Sequence, residues 1–159
     1  MRKPLLARIH IAAAAAGLVV ITTFLVSSAV TDLIGGAGDI RVLRHGILLG
    51  LPVLIACLAT AALTGRRLAG GSRPAVVRRK QRRLQAVAAA GILVLVPCAL
   101  ILNHLAAAPS GWVFHALEIT EISFGTLNLS LLALNFRDGR RMTRHRRSAR
   151  PAQLVDTRP

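Results

Sequence analysis

The residues of this chain best suited to chemistry lie in one hydrophobic segment, residues 112–136, which carries carboxylate, imidazole and amide side chains. An apolar run of about 20 residues can cross the hydrocarbon core of a bilayer as a helix. Ionisable side chains inside such a run are costly and usually face a protein interior or a functional cavity. The polar residues that fall within one arc of roughly 100° on a helical wheel are Glu118, Glu121, Asn128 and Asn135. The segment therefore predicts a helix with a polar inner face and an apolar outer face.

A layer of histidines is predicted in the outer half of the membrane, at the depth of Glu118. His45, His104 and His115 belong to different predicted helices and lie roughly 9–14 Å from the midplane, counting 1.5 Å of rise per residue. Imidazoles on two helices can bind the iron of a b-type haem from both sides, and imidazole with carboxylate suits a transition metal. A quinol site needs similar groups to exchange protons. The candidate metal or haem ligands are therefore His45, His104, His115 and Glu118, with haem b or a transition metal as the candidate cofactor.

A structural interpretation of the same layer is also open. Polar side chains this close to the headgroups can reach water with their polar ends. Arg44 is predicted at the depth of Glu118, so these two residues form a candidate ion pair. The chain has no CxxCH haem-attachment motif. The interfacial, cofactor and proton-exchange interpretations therefore stay side by side.

Glu121 is the candidate proton-handling residue. It is predicted only about 4–5 Å from the midplane, where a charge is hard to solvate. Because no basic residue is predicted at its depth, we expect Glu121 to be neutral at pH 7, to bind a polar group of another helix, or to face a water-filled pocket. Thr22 and Thr23 of the first helix are the candidate polar partners. A desolvated carboxyl group of this kind is suited to proton transfer.

Four apolar segments position these residues. With 53% apolar and 17% charged residues and a mean hydropathy of +0.56, the chain has the composition of a membrane protein. We expect an all-α integral membrane protein, a four-transmembrane-helix bundle formed by residues 1–136. The predicted helices span about residues 9–30, 40–63, 84–107 and 112–136. The first run also fits a secretory signal, but it is longer than the roughly 7–15 apolar residues of one, which favours a retained helix.

Two features predict how these helices pack. Gly46 and Gly50 form a GxxxG motif, which permits close helix approach, either inside the bundle or at a dimer face. Pro52 and Pro97 predict kinks in the second and third helices.

The basic residues are concentrated outside the apolar runs and predict the orientation. The chain carries a net charge of +15. The loop at residues 66–83 and the tail at 137–159, which we expect to be disordered, each hold eight Arg or Lys. The positive-inside rule therefore places the loop and both termini in the cytoplasm. Nucleic-acid binding is not expected, because no aromatic residue is interleaved for base stacking. Contact with the anionic inner leaflet is predicted for Arg66, Arg67, Arg78, Arg79, Lys80, Arg82, Arg83, Arg140 and Arg141.

In layout the chain resembles small four-helix bacterial membrane proteins, a group that includes haem-anchor subunits and multidrug exporters. The resemblance rests on helix count and buried polar residues. We expect a multi-pass protein of the cell membrane that serves as an accessory or cofactor-binding subunit for haem, metal or quinone. The alternative is a proton-coupled small exporter that uses Glu121. Either function is compatible with a homo-oligomer or a larger membrane complex. Enzymatic activity is not favoured, since no phosphate loop, nucleophile elbow or zinc-protease motif occurs.

Overall fold

The computed structural model describes residues 3–70 and 75–149, with side chains described for 3–70, 78–79 and 81–140, and the regular elements in this part of the chain are all helical. In chain order they are α1 (Lys3–Ile34), α2 (Ala37–Ala69), α3 (Ala75–Ala90), a π-helical turn (Gly91–Leu95), α4 (Val96–Leu105) and α5 (Trp112–Ala149). The helices long and apolar enough to cross a membrane are Lys3–Ile34, Ala37–Ala69, Gln81–Leu105 and Trp112–Arg140. The expected all-helical, multi-pass membrane architecture is confirmed at this level.

The four spans form a ring. We call Gln81–Leu105 the third span, since α3, the π-helical turn and α4 follow one another directly. α1 packs along α2, α2 packs on α4, and α5 closes the ring by contacting α1, α3 and α4. The third span therefore contacts α2 only through its α4 half. It contacts α5 along its whole length. This uneven packing leaves space beside α3, where the candidate site extends.

The predicted division of the last helix into a polar inner face and an apolar outer face is confirmed. Phe114, Glu118, Gly125 and Asn128 are buried on the inner face of α5, whereas Trp112 is exposed at its start. A single polar face on an otherwise apolar helix can be buried only where partner groups on other helices satisfy it. The inner face of α5 therefore lies at the centre of the site.

The last helix is longer than the sequence predicted. We expected a stop at Gly139 and disorder from residue 137, but α5 continues through Gly139 to Ala149. Arg and Ala are strong helix formers, one Gly costs only about 1 kcal/mol, and a helix already formed in the membrane needs no new nucleation. Arg83 also binds Asp138 at 2.8 Å and thereby links α3 to α5. The rest of the predicted tail, residues 150–159, lies outside the described residues.

The predicted basic loop is also largely helical. α2 continues to Ala69, and α3 begins at Ala75, so residues 66–69 and 75–83 of the predicted loop belong to helices. Arg and Lys favour helix nearly as well as Ala does, so charge alone does not end these helices. The helix expected over residues 78–83 is confirmed.

The glycines of the GxxxG motif and the two helix prolines differ in their structural effects. A Cβ added to Gly50 would come within 2.5 Å of Phe24 Cζ, so this glycine permits close packing of α1 on α2 inside the bundle. Gly46 is exposed, and a Cβ there meets nothing within 4 Å. The irregularity near Pro97 is the π-helical turn that precedes it, in which Val96 N–H bonds to Gly91 O. Pro cannot donate and conflicts with the carbonyl four residues earlier, and a wider turn relieves that conflict. Pro52 lies inside α2, which is α-helical from end to end.

Candidate functional site: a buried arginine among three carboxyl groups

Arg44 is the largest fully buried side chain in the described structure, with 1% of its side chain exposed. It lies two turns into α2, whose start is fixed by a hydrogen bond from Gly36 N–H to Asp39 Oδ2 at 2.9 Å. Asp39 accepts a hydrogen bond from a backbone N–H group that would otherwise have no partner at the helix start, which is why acidic residues are favoured at this position. The N-terminus of α2 is thereby capped about two turns before Arg44.

Three carboxyl groups surround the guanidinium. Arg44 Nη2 lies 3.1 Å from Glu118 Oε1 and 3.4 Å from Asp32 Oδ1, and Nη1 donates to Glu121 Oε2. Asp32 comes from the last turn of α1, and the two glutamates lie one turn apart on α5. The guanidinium carbon also lies 5.9 Å from the centroid of the Phe114 ring, within cation–π range. We call Asp32, Arg44, Glu118 and Glu121 the Arg44 cluster; it links α1, α2 and α5.

The Arg44 cluster has more acids than bases. Asp32, Glu118 and Glu121 have 18%, 11% and 14% of their side chains exposed. If all three were ionised, the single guanidinium would leave two negative charges uncompensated in a poorly hydrated place. Uncompensated buried charge is strongly unfavourable, so protons or a bound cation must reduce this excess. The cluster therefore holds more acidic than basic groups, with Asp32 at its most exposed position.

A further ionisable group borders the cluster on α5. His115 Nδ1 lies 3.1 Å from Glu118 Oε2, with the imidazole largely exposed. His115 therefore extends the Arg44 cluster toward the exposed side of α5.

The expectation that no basic side chain reaches Glu121 is wrong. Arg44 binds it, and the proposed partners Thr22 and Thr23 instead donate to carbonyl oxygens of their own helix, at 2.7 and 3.0 Å. The depth estimate compared backbone positions, which differ by roughly 7–8 Å for Arg44 and Glu121. The long Arg side chain spans that difference, so one guanidinium reaches both Glu118 and Glu121.

The candidate metal or haem ligands are not brought together. His45 is exposed and borders a shallow surface groove with Asn103, and His104 is exposed near the end of α4. Of the proposed ligands, His115 and Glu118 are in contact. Among the described side chains, those of residues 3–70, 78–79 and 81–140, no group of three or more His, Cys, Asp or Glu is arranged to hold a metal ion. Sharing one membrane depth does not make these histidines face one another.

A cavity of about 250 Å³ lies directly beside the Arg44 cluster, between α1, α2, the third span and α5. Its walls are mostly apolar, and its polar lining residues are Ser28, Glu121 and Asn128. Ile55 of α2 and Ile92 of the third span line the cavity and are also exposed on the bundle surface. The cavity therefore opens sideways between these two helices, toward the membrane. We call it the side cavity.

Asn128 lines the side cavity but keeps its side-chain amide buried. Its side chain is buried, and its amide nitrogen donates to Val87 O at 3.4 Å. Among the described residues, Asn128 Oδ1 has no hydrogen-bond partner. Because a backbone carbonyl can only accept, turning the amide over would place two acceptors against each other. The helical wheel could place Asn128 inside the bundle, but it could not show that its oxygen would lack a partner.

The basic side chains predicted to contact lipid lie away from the cluster. Arg66, Arg67, Arg78, Arg79, Arg82 and Arg140 are exposed. Arg83 is engaged with Asp138, and the side chains of Lys80 and Arg141 lie outside the described ones. At the other end of the bundle, Arg41 near the start of α2 donates to Ala107 O at 3.1 Å and so links α2 to the connection between α4 and α5. The strongly basic segments and the short connections therefore occupy opposite ends.

Comparison of this chain with protein-family models, with curated proteins and with solved structures finds no match. The function must therefore be argued from the Arg44 cluster and the side cavity.

Proposed function

We propose that the protein is a small proton-coupled carrier that binds a lipid-soluble ligand in the side cavity and exchanges protons at the Arg44 cluster. This is the activity that an exporter using an intramembrane glutamate requires. The observation that carries the proposal is the position of Glu121, which binds Arg44 and also lines the side cavity. A change in the protonation of the cluster would therefore alter the charge directly beside a ligand in the side cavity.

The chemistry of coupling follows from the charge count of the cluster. A proton bound to any of its three carboxyl groups reduces the excess negative charge around Arg44, and so does a cationic ligand group close to Glu121. The proton and the cationic ligand group both stabilise the same cluster. Binding of one therefore lowers the affinity of the cluster for the other. Competition of this kind between a proton and a ligand is the basis of exchange transport.

The orientation is part of the proposal. We place the protein in the cell membrane, with both termini and the basic segment around residue 70 in the cytoplasm and the basic side chains against anionic lipid. The separation of the basic segments from the short connections supports this assignment. A reporter active only in the cytoplasm should be active when fused after Pro159 and silent when inserted at Pro109. Activity at Pro109 would overturn the orientation.

Reconstituted vesicles with an imposed pH gradient test the transport function. We expect wild-type protein to drive accumulation of a lipid-soluble dye cation such as ethidium. Glu121→Gln keeps the shape of the side chain but removes its charge, so accumulation should fall about tenfold or more, the factor expected for a lost charge-assisted hydrogen bond. Asp138→Asn neutralises a carboxylate outside the cluster and is the matched control. Equal accumulation with wild type and Glu121→Gln would contradict the proposal.

An accessory subunit that binds quinone is the second candidate, because the side cavity is apolar, opens sideways and has a carboxyl group at its wall. It predicts that decylubiquinone binds while no probe is moved by the pH gradient. The haem and metal versions gain no support from the described side chains, and a visible spectrum of the purified protein tests them directly.

A further inference from the structure

A surface groove between α2 and α4 brings three hydrogen-bonding side chains together. It lies at the end of the bundle that carries the short connections, residues 35–36 and 106–111. Arg41 and His45 of α2 and Asn103 of α4 line it, and Val42 and Ala107 complete its walls. Arg41 and His45 are exposed and Asn103 is half-buried, so the groove is open to molecules around the bundle. We call it the Arg41 groove.

The Arg41 groove has two levels. Arg41 donates to Ala107 O at 3.1 Å, which fixes the outer level. Because α2 and α4 belong to consecutive spans, they run in opposite directions. One turn onward along α2 leads to His45, and one turn back from Ala107 leads to Asn103. His45 and Asn103 therefore share an inner level, roughly 6 Å deeper in the membrane than Arg41.

The hydrogen-bonding capacity of these side chains is largely unused within the described part of the chain. A guanidinium group has five N–H donors, of which Arg41 gives one to Ala107 O. None of the ion pairs among the described side chains includes Arg41, and Asp39, the nearest acid along α2, caps the helix start instead. His45 and Asn103 form no hydrogen bond with the described residues. Donors at both levels are thus available to a ligand.

The fixed positive charge of Arg41 favours an anion in this groove over a metal ion. A cation held by His45 would lie one helical turn from the guanidinium, and like charges at that distance repel. Phosphate oxygens only accept hydrogen bonds, and arginine binds them through charge-assisted bonds that are often bidentate. His45 therefore suits a ligand rich in acceptors better than it suits a metal.

The depth of the groove indicates that the anion belongs to a lipid. Counting 1.5 Å of rise per residue from the middle of the predicted second helix, Arg41 lies roughly 16 Å and His45 roughly 10 Å from the bilayer centre. The hydrocarbon core ends about 15 Å from the centre, so Arg41 lies at the boundary where the headgroups begin. The polar end of His45 can reach outward toward the same boundary, where the glycerol esters of lipids present carbonyl oxygens.

Exposed apolar side chains continue from the groove toward the bilayer centre. Leu49 follows His45 by one turn on α2 and is 66% exposed. Leu100 precedes Asn103 by three residues on α4 and is 51% exposed. A lipid held by its headgroup in the groove would lay its acyl chains against these side chains, whereas a soluble phosphate would gain nothing from them.

From these features we infer that the Arg41 groove binds a phospholipid of the adjacent leaflet, with its phosphate at Arg41 and its ester carbonyl oxygens at His45 and Asn103. Anionic phosphatidylglycerol is favoured over zwitterionic phosphatidylcholine, because the described residues that line the groove include no carboxylate to pair with an ammonium group. In the proposed orientation this is the outer leaflet, opposite the leaflet that faces the basic segments. The inference does not depend on the carrier function.

Quenching of a single tryptophan by brominated lipids tests the site inside a bilayer. The reporter is the full-length protein carrying Leu49→Trp, with Trp112→Phe to remove the native tryptophan. It is reconstituted into mixed vesicles of phosphatidylglycerol and phosphatidylcholine in which one lipid is brominated, so that quenching gives the relative affinity of the two lipids beside position 49. We expect phosphatidylglycerol to be favoured about fivefold, the factor that one arginine near the surface contributes toward anionic lipid.

Variants in the reporter background assign the two levels of the groove. Arg41→Gln should abolish the preference for phosphatidylglycerol, and Arg41→Lys, which keeps the charge, should retain most of it. Arg66→Gln neutralises an exposed arginine at the other end of α2 and is the matched control. Ester-linked phosphatidylglycerol should be favoured about two- to tenfold over its ether-linked analogue, the contribution of one neutral hydrogen bond, and Asn103→Leu should reduce that factor. Thermal unfolding shows whether each variant is folded.

The outcomes distinguish a lipid from a soluble anion. A preference for phosphatidylglycerol that is absent from the reporter, or that survives Arg41→Gln, would contradict the inference. Millimolar inorganic phosphate should leave the preference unchanged; if phosphate abolishes it, the groove takes a soluble anion and the inference is wrong. Equal quenching by ester- and ether-linked lipid would overturn the assignment of His45 and Asn103. None of these results bears on the carrier function, which Glu121→Gln tests separately.

Discussion

Arginine meets carboxylate at two places in this molecule, and the two places differ in balance and burial. Arg83 binds Asp138 one-to-one, with 14% and 22% of the side chains exposed. Arg44 is 1% exposed and binds three acids. The Arg83 pair links α3 to α5 and is neutral as it stands. The Arg44 cluster is not neutral unless it gains positive charge. A pair with equal positive and negative charge can have a purely structural role. A cluster with more negative than positive charge needs a proton or a cationic ligand to become neutral.

The largest effect should come from removing Arg44. Arg44→Gln leaves three carboxyl groups facing one another without a cation, and breaking a buried ion pair by removing one partner costs about 3–5 kcal/mol. We expect a large fall in the thermal unfolding midpoint in detergent. Arg83→Gln, the matched control, removes a partly exposed partner and should cost much less. Equal losses from the two variants would remove the distinction between cluster and pair.

The next effect concerns coupling inside the cluster. Glu118→Gln should change stability little by itself, because Arg44 keeps two carboxyl partners while the cluster loses one excess negative charge, and it should recover part of the stability lost in Arg44→Gln. Removing both partners of a buried contact costs less than removing one. Recovery should be partial, since Asp32 and Glu121 remain. Strictly additive losses in a double-mutant cycle would mean that Arg44 and Glu118 do not interact in the membrane.

The sequence predicted the spans and the inner face of α5, because hydropathy and helical period depend on residue type alone. The burial of Asn128 followed from its wheel position, and the contact between Arg44 and Glu118 followed from their shared depth. The contact with Glu121 did not, because depth was counted along the backbone and ignored the reach of a long side chain. The separation of His45 from His115 was missed because depth does not fix the direction in which a side chain points around the helix axis.

The helix ends and the side cavity also could not be predicted from the sequence. α5 continues past Gly139 because neighbouring helix formers outweigh one glycine, and because Asp138 gains a partner on α3. That partner is 55 residues away in the chain. The side cavity depends on how the third span leans against α2 and α5, which no local pattern encodes. That Asn128 Oδ1 has no partner among the described residues becomes visible only once the neighbours of α5 are in place.

The smallest effect should come from the Arg83–Asp138 pair, and it tests whether this pair is only structural. The Arg83–Asp138 pair is charge-balanced and lies at the end of the bundle that carries the basic segments, where a charge left alone can reach water with its polar end. Arg83→Gln and Asp138→Asn should therefore each lower stability by only about 0–1 kcal/mol. A double-mutant cycle should give a coupling energy within that range, and added salt should reduce it if water reaches the pair. Neither variant should alter binding in the side cavity. A coupling energy as large as that between Arg44 and Glu118, unchanged by salt, would show that the Arg83 pair is as well shielded from water as the cluster. The contrast between the two ends of the bundle would then have to rest on charge balance alone.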